Sequence, residues 1–511
     1  MLLFPLVVSL AGCGGDESGG VGTGLQPAGT WRQGVFQPSS GFKGRCANPR
    51  SGTGDRRGSV ADENNWLRSW TNETYLWFNE VTDRDPGAYT NALDYFATLK
   101  TTATTSSGQP KDKFHFTYDT DAWEALSEGG ISSGYGASFE ILSPTPPRRI
   151  VVGFVEDDEP AFGELQRGDE ILQVDGVDAV NGNTGADVNT LNAGLFPSDV
   201  GETHTFVVRA PDGQQRMITL TSEEIFNDPV PVTQSFNTAS GTVGYLLFND
   251  HSAVAETELD GAISAMSAQG VNDLILDLRY NGGGYLDIAS EAAYMVANPT
   301  LTAGKIFERM EFNSKHVGVN PVTGASITPT PFHSRRQFSG DSMLPTLALS
   351  RVYVITGPGT CSASESIING LRGAGVQVYQ IGSTTCGKPY GFYPSDNCGT
   401  TYFSIQFRGE NAAGFGDYTD GFSPANTASN AGTLLPGCSV ADDFNHELGD
   451  QAESRIAAAL AFRASNNQSC PAASGFSDPR LSKMSFQSAP DRALWVSKPA
   501  ARMNRILRGA G

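Results

Sequence analysis

The chain has 511 residues, 39% of them hydrophobic and 18% charged. At ~100–200 residues per domain it holds about two to four domains with a substantial core. Its 35 Lys and Arg against 55 Asp and Glu give a net charge of −20, which repels phosphate backbones and argues against nucleic acid as a partner.

The opening run MLLFPLVVSLAGCGG is apolar but shorter than the ~20 residues that span a bilayer, and it reads as an export signal over residues 1–12. Its ending, Leu10-Ala11-Gly12-Cys13, resembles a bacterial lipobox. That resemblance implies cleavage before Cys13 and lipidation of Cys13. The run lacks the usual preceding Lys or Arg. The expected location is the bacterial cell envelope, lipid-anchored and facing the periplasm or the exterior. Residues 13–60, Gly-rich at their start, are expected to be a flexible linker.

Six further cysteines, Cys46, Cys361, Cys386, Cys398, Cys438 and Cys470, suggest disulfides in an exported chain. Cys386 and Cys398 are close enough in sequence to staple one loop, but the count leaves about fifteen connectivities open. No CxxC pair or His-rich spacing points to a metal, and no cofactor is expected.

Residues 61–130 read as a small helical domain. DENNWLRSWTNETYLWFNEV, from Asp62 to about Val81, sets Trp66, Leu67, Trp70, Leu76 and Trp77 at helical spacing, and NALDYFATL gives a second short helix. From residue 131 to 225 the texture is β-rich: GYGASFEIL, RRIVVGFV, DEILQVDGV, THTFVVRA and QRMITLT. The stretch GELQRGDEILQVDGVDA, with Gly168, Asp169, Asp175 and Gly176 at turn positions, resembles a PDZ domain. That resemblance implies peptide binding by strand addition, with a backbone loop near Gly134, Tyr135, Gly136 and Ala137 gripping a terminus.

Residues 226–470 alternate strand and helix, which predicts an α/β core. TVGYLLF, DLILDLRY, SRVYVITG, VQVYQIG and TTYFSIQFR are expected strands. AETELDGAISAMSAQ, DIASEAAYMVA, the segment after Ser362 and DQAESRIAAALAFR are expected helices. Residues 471–511 form a tail that is polar and basic in places.

Three short elements in this core could carry chemistry. Ser362-Ala363-Ser364-Glu365 fits a capping box, yet a helix N-terminus beside a serine can equally stabilise an oxyanion. Lys388 follows in TTCGKPYGFYP, with Tyr390, Phe392 and Tyr393 nearby as apolar walls. Burial disfavours a charged amine, so a buried Lys388 could take the serine proton. The segment from Gly382 to Lys388 has phosphate-loop spacing, but Pro389 replaces the Ser or Thr that would hold magnesium, so no nucleotide is expected. The glycines of DLRYNGGG permit close backbone approach.

In this order the three elements resemble the C-terminal processing peptidases, also called tail-specific proteases. The resemblance implies a ClpP/crotonase-like α/β core behind a helical and a PDZ domain, in a multidomain α/β chain. It implies Ser362 as nucleophile, Lys388 as general base, backbone N–H groups of Ala363 and Gly284 as oxyanion donors, and Glu365 and Thr385 as supporting residues. The implied partners are protein or peptide substrates, with the membrane reached through Cys13. Phe392 stands where many members have Gln, and Cys361 directly precedes the nucleophile position. A silent peptide-binding lipoprotein is the alternative.

Overall fold

The computed structural model describes residues 31–105, 107–427, 432–474 and the backbone strand Arg505–Ile506. The export run, Cys13 and most of the 471–511 tail lie outside the described residues.

Helix α1, Val60–Thr74, starts at Ser59, whose hydroxyl accepts the Asp62 N–H. The expected continuation to Val81 fails for a local reason. Tyr75 itself is extended, a turn and the 3₁₀ segment Phe78–Glu80 follow, and the Leu76 N–H donates to the Ile405 carbonyl at 2.8 Å. Helices α2 (Ala92–Ala97) and α3 (Thr120–Gly129) follow, and Trp66, Trp70 and Phe96 pack with Tyr402.

Residues 31–59 are more than a linker, because Phe42 and Cys46 are buried. Cys46 bonds Cys398 across 352 residues of sequence, which overturns the Cys386–Cys398 staple. Strand Phe116–Asp119, inside the expected helical region, pairs antiparallel with Thr400–Phe403. A disulfide and a strand pair therefore stitch this layer to the rest.

Residues 137–221 form an antiparallel meander of Ala137–Ser143, Arg149–Val155, Glu170–Val174, Thr203–Arg209 and Gln215–Thr221, paired in that order. Helix α4, Gly185–Leu195, covers it, and the unit has its own core around Val152, Ile171, Leu191 and Phe206. Asp175 and Gly176 both take positive φ, as a tight hairpin turn requires. Among the described residues Ala137–Ser143 is one edge of this sheet and Gln215–Thr221 the other.

The core sheet has six strands: β1 (Val232–Thr238), β2 (Gly241–Leu247), β3 (Asp273–Asp277), β4 (Arg351–Thr356), β5 (Gln377–Gly382) and β6 (Gly437–Ser439), paired in that order. Only β1–β2 is antiparallel. Strand β3 is buried along its whole length, as a parallel strand covered on both faces must be. Helices α5 (Ala255–Ala268), α6 (Leu286–Val296) and α7 (Ala363–Ala374) pack on the face that carries Leu274, Leu276 and Val352. Helix α8 (Ser454–Ala464) packs on the other, against Ile275, Tyr353 and Ile355. The expected strand TTYFSIQFR divides into Thr400–Phe403 and Phe407–Glu410.

An ionic cluster joins the meander to the core. Asp442 accepts from Arg167 of the meander at 2.8 Å and from Arg279 of the core at 2.6 Å, with Arg455 at 3.6 Å. Arg279 also pairs with Asp277 and Glu453, and all three are buried. Burial alone would raise the Asp442 carboxyl, but Arg455, Arg279 and Arg167 outweigh it and hold it well below the usual range. Such a depressed carboxyl contributes stability above the ordinary Asp value, lost as pH falls through the lowered one.

Two predictions come from these links. Cys46→Ala/Cys398→Ala should cost about 2–5 kcal/mol, read as a lower urea midpoint; an unchanged midpoint would contradict the stitching role. Between about pH 2 and pH 4 the wild type should gain stability more steeply with pH than Asp442→Asn. Parallel pH profiles for the two proteins would rule that out.

Candidate active site

The loops after β3, β4 and β5 leave the sheet at the carboxyl ends of parallel strands, where open α/β sheets place their ligands. These loops hold Asn281–Gly284, Gly357–Ser362 and Ser383–Lys388. The fold thus brings together all three elements singled out in the sequence.

Asn281 builds the first loop. Its amide donates to the Phe248 carbonyl at 2.8 Å, and its Oδ1 accepts from Gly283 N at 2.9 Å and Ser364 Oγ at 2.8 Å. Gly284 follows at φ 144°, where an added Cβ would sit 2.7 Å from the His251 Cβ. Only glycine fits that approach. His251 is fully buried, and desolvation pushes its imidazole down to about 3, so it is neutral and serves the turn. Its Nδ1 lies 2.9 Å from Asn281 Oδ1.

Ser362 ends the second loop as the residue before α7, at φ 57° and ψ −112°. That left-handed φ is unusual for a residue with a Cβ and marks a constrained position. The side chain is buried, and Oγ has no hydrogen-bond partner among the described residues. Ser362 and Glu365 take the capping-box arrangement expected from the sequence, but only its Glu365 half is a full hydrogen bond. Glu365 accepts the Ser362 N–H at 3.0 Å, while the hydroxyl half carries no bond. Ala363 is the first residue of α7, so its N–H has no acceptor within the helix.

Glu365 ties the second loop to the third. One carboxylate oxygen, Oε2, accepts from both Ser362 N (3.0 Å) and Lys388 N (2.8 Å). The other, Oε1, accepts from Thr385 Oγ1 at 2.5 Å and Gly387 N at 2.9 Å. Burial raises the Glu365 carboxyl above its ordinary range, opposed by the hydrogen bonds from Thr385, Lys388, Gly387 and Ser362. Cys361 and Cys386 add a covalent tie, a disulfide between the residue before Ser362 and the residue two before Lys388. Gly387, at φ 81°, lets the loop pass the Thr419 carbonyl, which a Cβ would meet at 2.3 Å.

Lys388 is fully buried. Its Nζ lies 4.3 Å from the centroid of the Phe392 ring and 4.8 Å from that of Phe114. Phe392, one of the three aromatics expected to wall Lys388, does line the lysine pocket. Tyr390 and Tyr393 turn to other partners, Trp77 and the Asn320 amide. The Ser362 Oγ is not hydrogen-bonded to Lys388 in this structure. Sequence reasoning missed Phe114 and Lys113, which come from the N-terminal layer. The Lys113 amine donates to the Cys386 carbonyl at 2.9 Å, and burial lowers its basicity.

The meander opens onto the same loops. A small cavity of ≈ 90 Å³ is lined by Gly136, Ala137, Phe139 and Glu140 on one side and by Tyr280, Gly282 and Gly359 on the other. The Tyr135 hydroxyl donates to the Gly194 carbonyl at 2.9 Å, which anchors the Gly134–Ala137 turn. Among the described residues, no helix is long and apolar enough to cross a membrane.

Glu365→Ala would strand buried N–H groups on both loops, each costing about 1–3 kcal/mol. It should lower the melting temperature by several degrees. An unchanged melting temperature would show that the carboxylate is not the tie described.

Residues 242–391 match the sequence profile of peptidase family S41. The chain is 24% identical over 271 residues to a carboxyl-terminal-processing protease of Picosynechococcus sp., covering 52% of this chain and 56% of that one. It is 32% identical over 194 residues to a chloroplastic C-terminal processing peptidase of Tetradesmus obliquus, covering 34% and 39%. The chain therefore spans about half or less of the length of these relatives. A solved S41 protease structure from Bacteroides fragilis superposes with a TM-score of 0.58 at 21% identity, over 79% of this chain and 98% of that one. The fold is that of the S41 proteases, and residues 242–391, which contain Gly284, Ser362 and Lys388, are a peptidase family S41 domain.

Proposed function

We propose that this protein is a serine endopeptidase of the C-terminal processing type. The observation that carries the reading is the buried, unpartnered Ser362 hydroxyl, held at the mouth of α7 by a carboxylate that also holds the Lys388 backbone.

In the proposed reaction Ser362 Oγ attacks the peptide carbonyl and forms a C–O bond, while a neutral Lys388 amine takes the hydroxyl proton. The N–H groups of Ala363 and Gly284 receive the developing oxyanion. Collapse breaks the C–N bond, and the leaving amine takes the proton from Lys388. Water then hydrolyses the acyl-enzyme by the same route. Glu365 and Thr385 act by positioning, since both lie in the tie between the two loops. The Ser362–Lys388 hydrogen bond is not made here, and bonds of this kind commonly tighten only with substrate present.

The antiparallel meander would act as a PDZ-type unit that takes an extended peptide along the edge Ala137–Ser143. Its cavity opens toward Tyr280 and Gly282, so a peptide held there would be near the dyad. Three disulfides fit an oxidising compartment, in line with export and with Cys13 as a lipid anchor.

The unmade dyad bond favours a second reading, a silent peptide-binding protein. Cleavage of an unfolded test protein separates the two. Wild type should cleave it, while Ser362→Ala and Lys388→Ala should each fall at least a hundredfold with unchanged circular dichroism. Near-normal turnover by Lys388→Ala would sink the dyad, and no turnover by wild type would favour the silent binder. Cys361→Ala/Cys386→Ala should lower kcat about tenfold or more with KM little changed, because a small misplacement of base and nucleophile is costly. An unchanged kcat would mean that Glu365 alone sets the geometry.

A further inference from the structure

One strand in the active-site region belongs to neither the core sheet nor the meander. Backbone residues Arg505–Ile506 pair in parallel with Gly284–Tyr285, in the register Gly284 to Arg505 and Tyr285 to Ile506. The strand also lies close to Tyr390–Gly391, which begins two residues after Lys388. A segment more than a hundred residues downstream of the lysine thus comes close to both the turn that carries Gly284 and the loop that carries Lys388.

The direction of the Gly284 peptide groups gives this placement its meaning. His251 N–H donates to the Gly283 carbonyl at 3.3 Å, and Tyr285 N–H donates to the His251 carbonyl at 3.0 Å. Successive residues of a strand direct their N–H and C=O to opposite sides. Gly284's own N–H and C=O therefore face away from His251, toward the paired Arg505. That N–H is the donor proposed above for the oxyanion. The docked strand lies where a peptide must lie for its carbonyl to be polarised.

Charge favours the same contact. Residues 475–511 contain seven Lys and Arg and two Asp and Glu, in a chain whose totals are 35 and 55. A basic stretch is attracted to the acidic remainder, and strand addition supplies the register.

We propose that the segment carrying the backbone strand Arg505–Ile506 is a built-in peptide ligand of the active-site cleft, a basic stretch of the same chain that adds to Gly284–Tyr285 and competes with peptide substrates. The docking needs only the backbone geometry; its consequence for turnover rests on the peptidase reading above.

The test uses the full chain with Ser362→Ala, so that binding is read without cleavage, and a fluorescein-labelled peptide of residues 498–511, KPAARMNRILRGAG. Ile506→Pro in that chain removes the N–H that a parallel strand presents to the Gly284 carbonyl. It should free the cleft and raise the affinity for the labelled peptide about tenfold or more, because the tethered segment no longer competes at high effective concentration. A peptide N-methylated at the Ile506 position should bind about tenfold more weakly than the unmodified one. Hydrogen exchange at the Gly284 amide should speed up in Ile506→Pro. Equal peptide affinity in the two chains, no binding to either, or indifference to N-methylation would each overturn the proposal. Turnover of a test protein is scored separately on chains that keep Ser362. Binding without turnover would leave the docked strand standing and remove the peptidase reading.

Discussion

The site depends on one buried carboxylate. Glu365 gathers the N–H groups of Ser362, Gly387 and Lys388 and the Thr385 hydroxyl, and so makes two separate loops a single rigid piece. Its position in the first turn of α7 places it near the positive end of the helix, which favours a carboxylate there. The Cys361–Cys386 disulfide spans the same gap by a covalent route. With the backbone bound this tightly, the Ser362 hydroxyl is left without a bond of its own, and Lys388 is enclosed between two aromatic rings.

A second layer of constraint reaches this piece from outside the S41 domain. Phe114 and Lys113 approach Lys388 from the N-terminal layer, which Cys46–Cys398 and a strand pair fix to the core. Arg279, in the turn that leads to Gly284, shares Asp442 with Arg167 of the meander. Movement of the meander would therefore act directly on the strand-to-glycine turn. Coupling of that kind would give the meander, in the peptide-binding role proposed for it, a physical means of influencing the site.

Much of this was legible in the sequence, and for identifiable reasons. The buried strands β2 to β5 are short apolar runs of Leu, β-branched and aromatic residues, and the glycines and Ser362 punctuate their ends, so the order of the three site elements could be read along the chain. Features set by distant pairing could not. No local pattern shows that Cys386 joins Cys361, that Phe114 faces Lys388, or that α1 stops at Tyr75 to give Leu76 to Ile405. Likewise, the helical texture of 61–130 hides a strand whose partner lies beyond residue 400. The capping box at Ser362 is the instructive case, since its residue types fit a cap and only the folded structure shows that the hydroxyl makes no full hydrogen bond within it.

The central claim is that Ser362 is made nucleophilic by Lys388. Its most direct measurement is the intact mass of the native protein after exposure to a serine-directed phosphonate at neutral pH, with the adduct located by peptide mapping. The account predicts one adduct on Ser362 in the wild type and at least a hundredfold slower labelling in Lys388→Ala. Labelling of Ser362 at the same rate in both proteins, or none in the wild type, would contradict it.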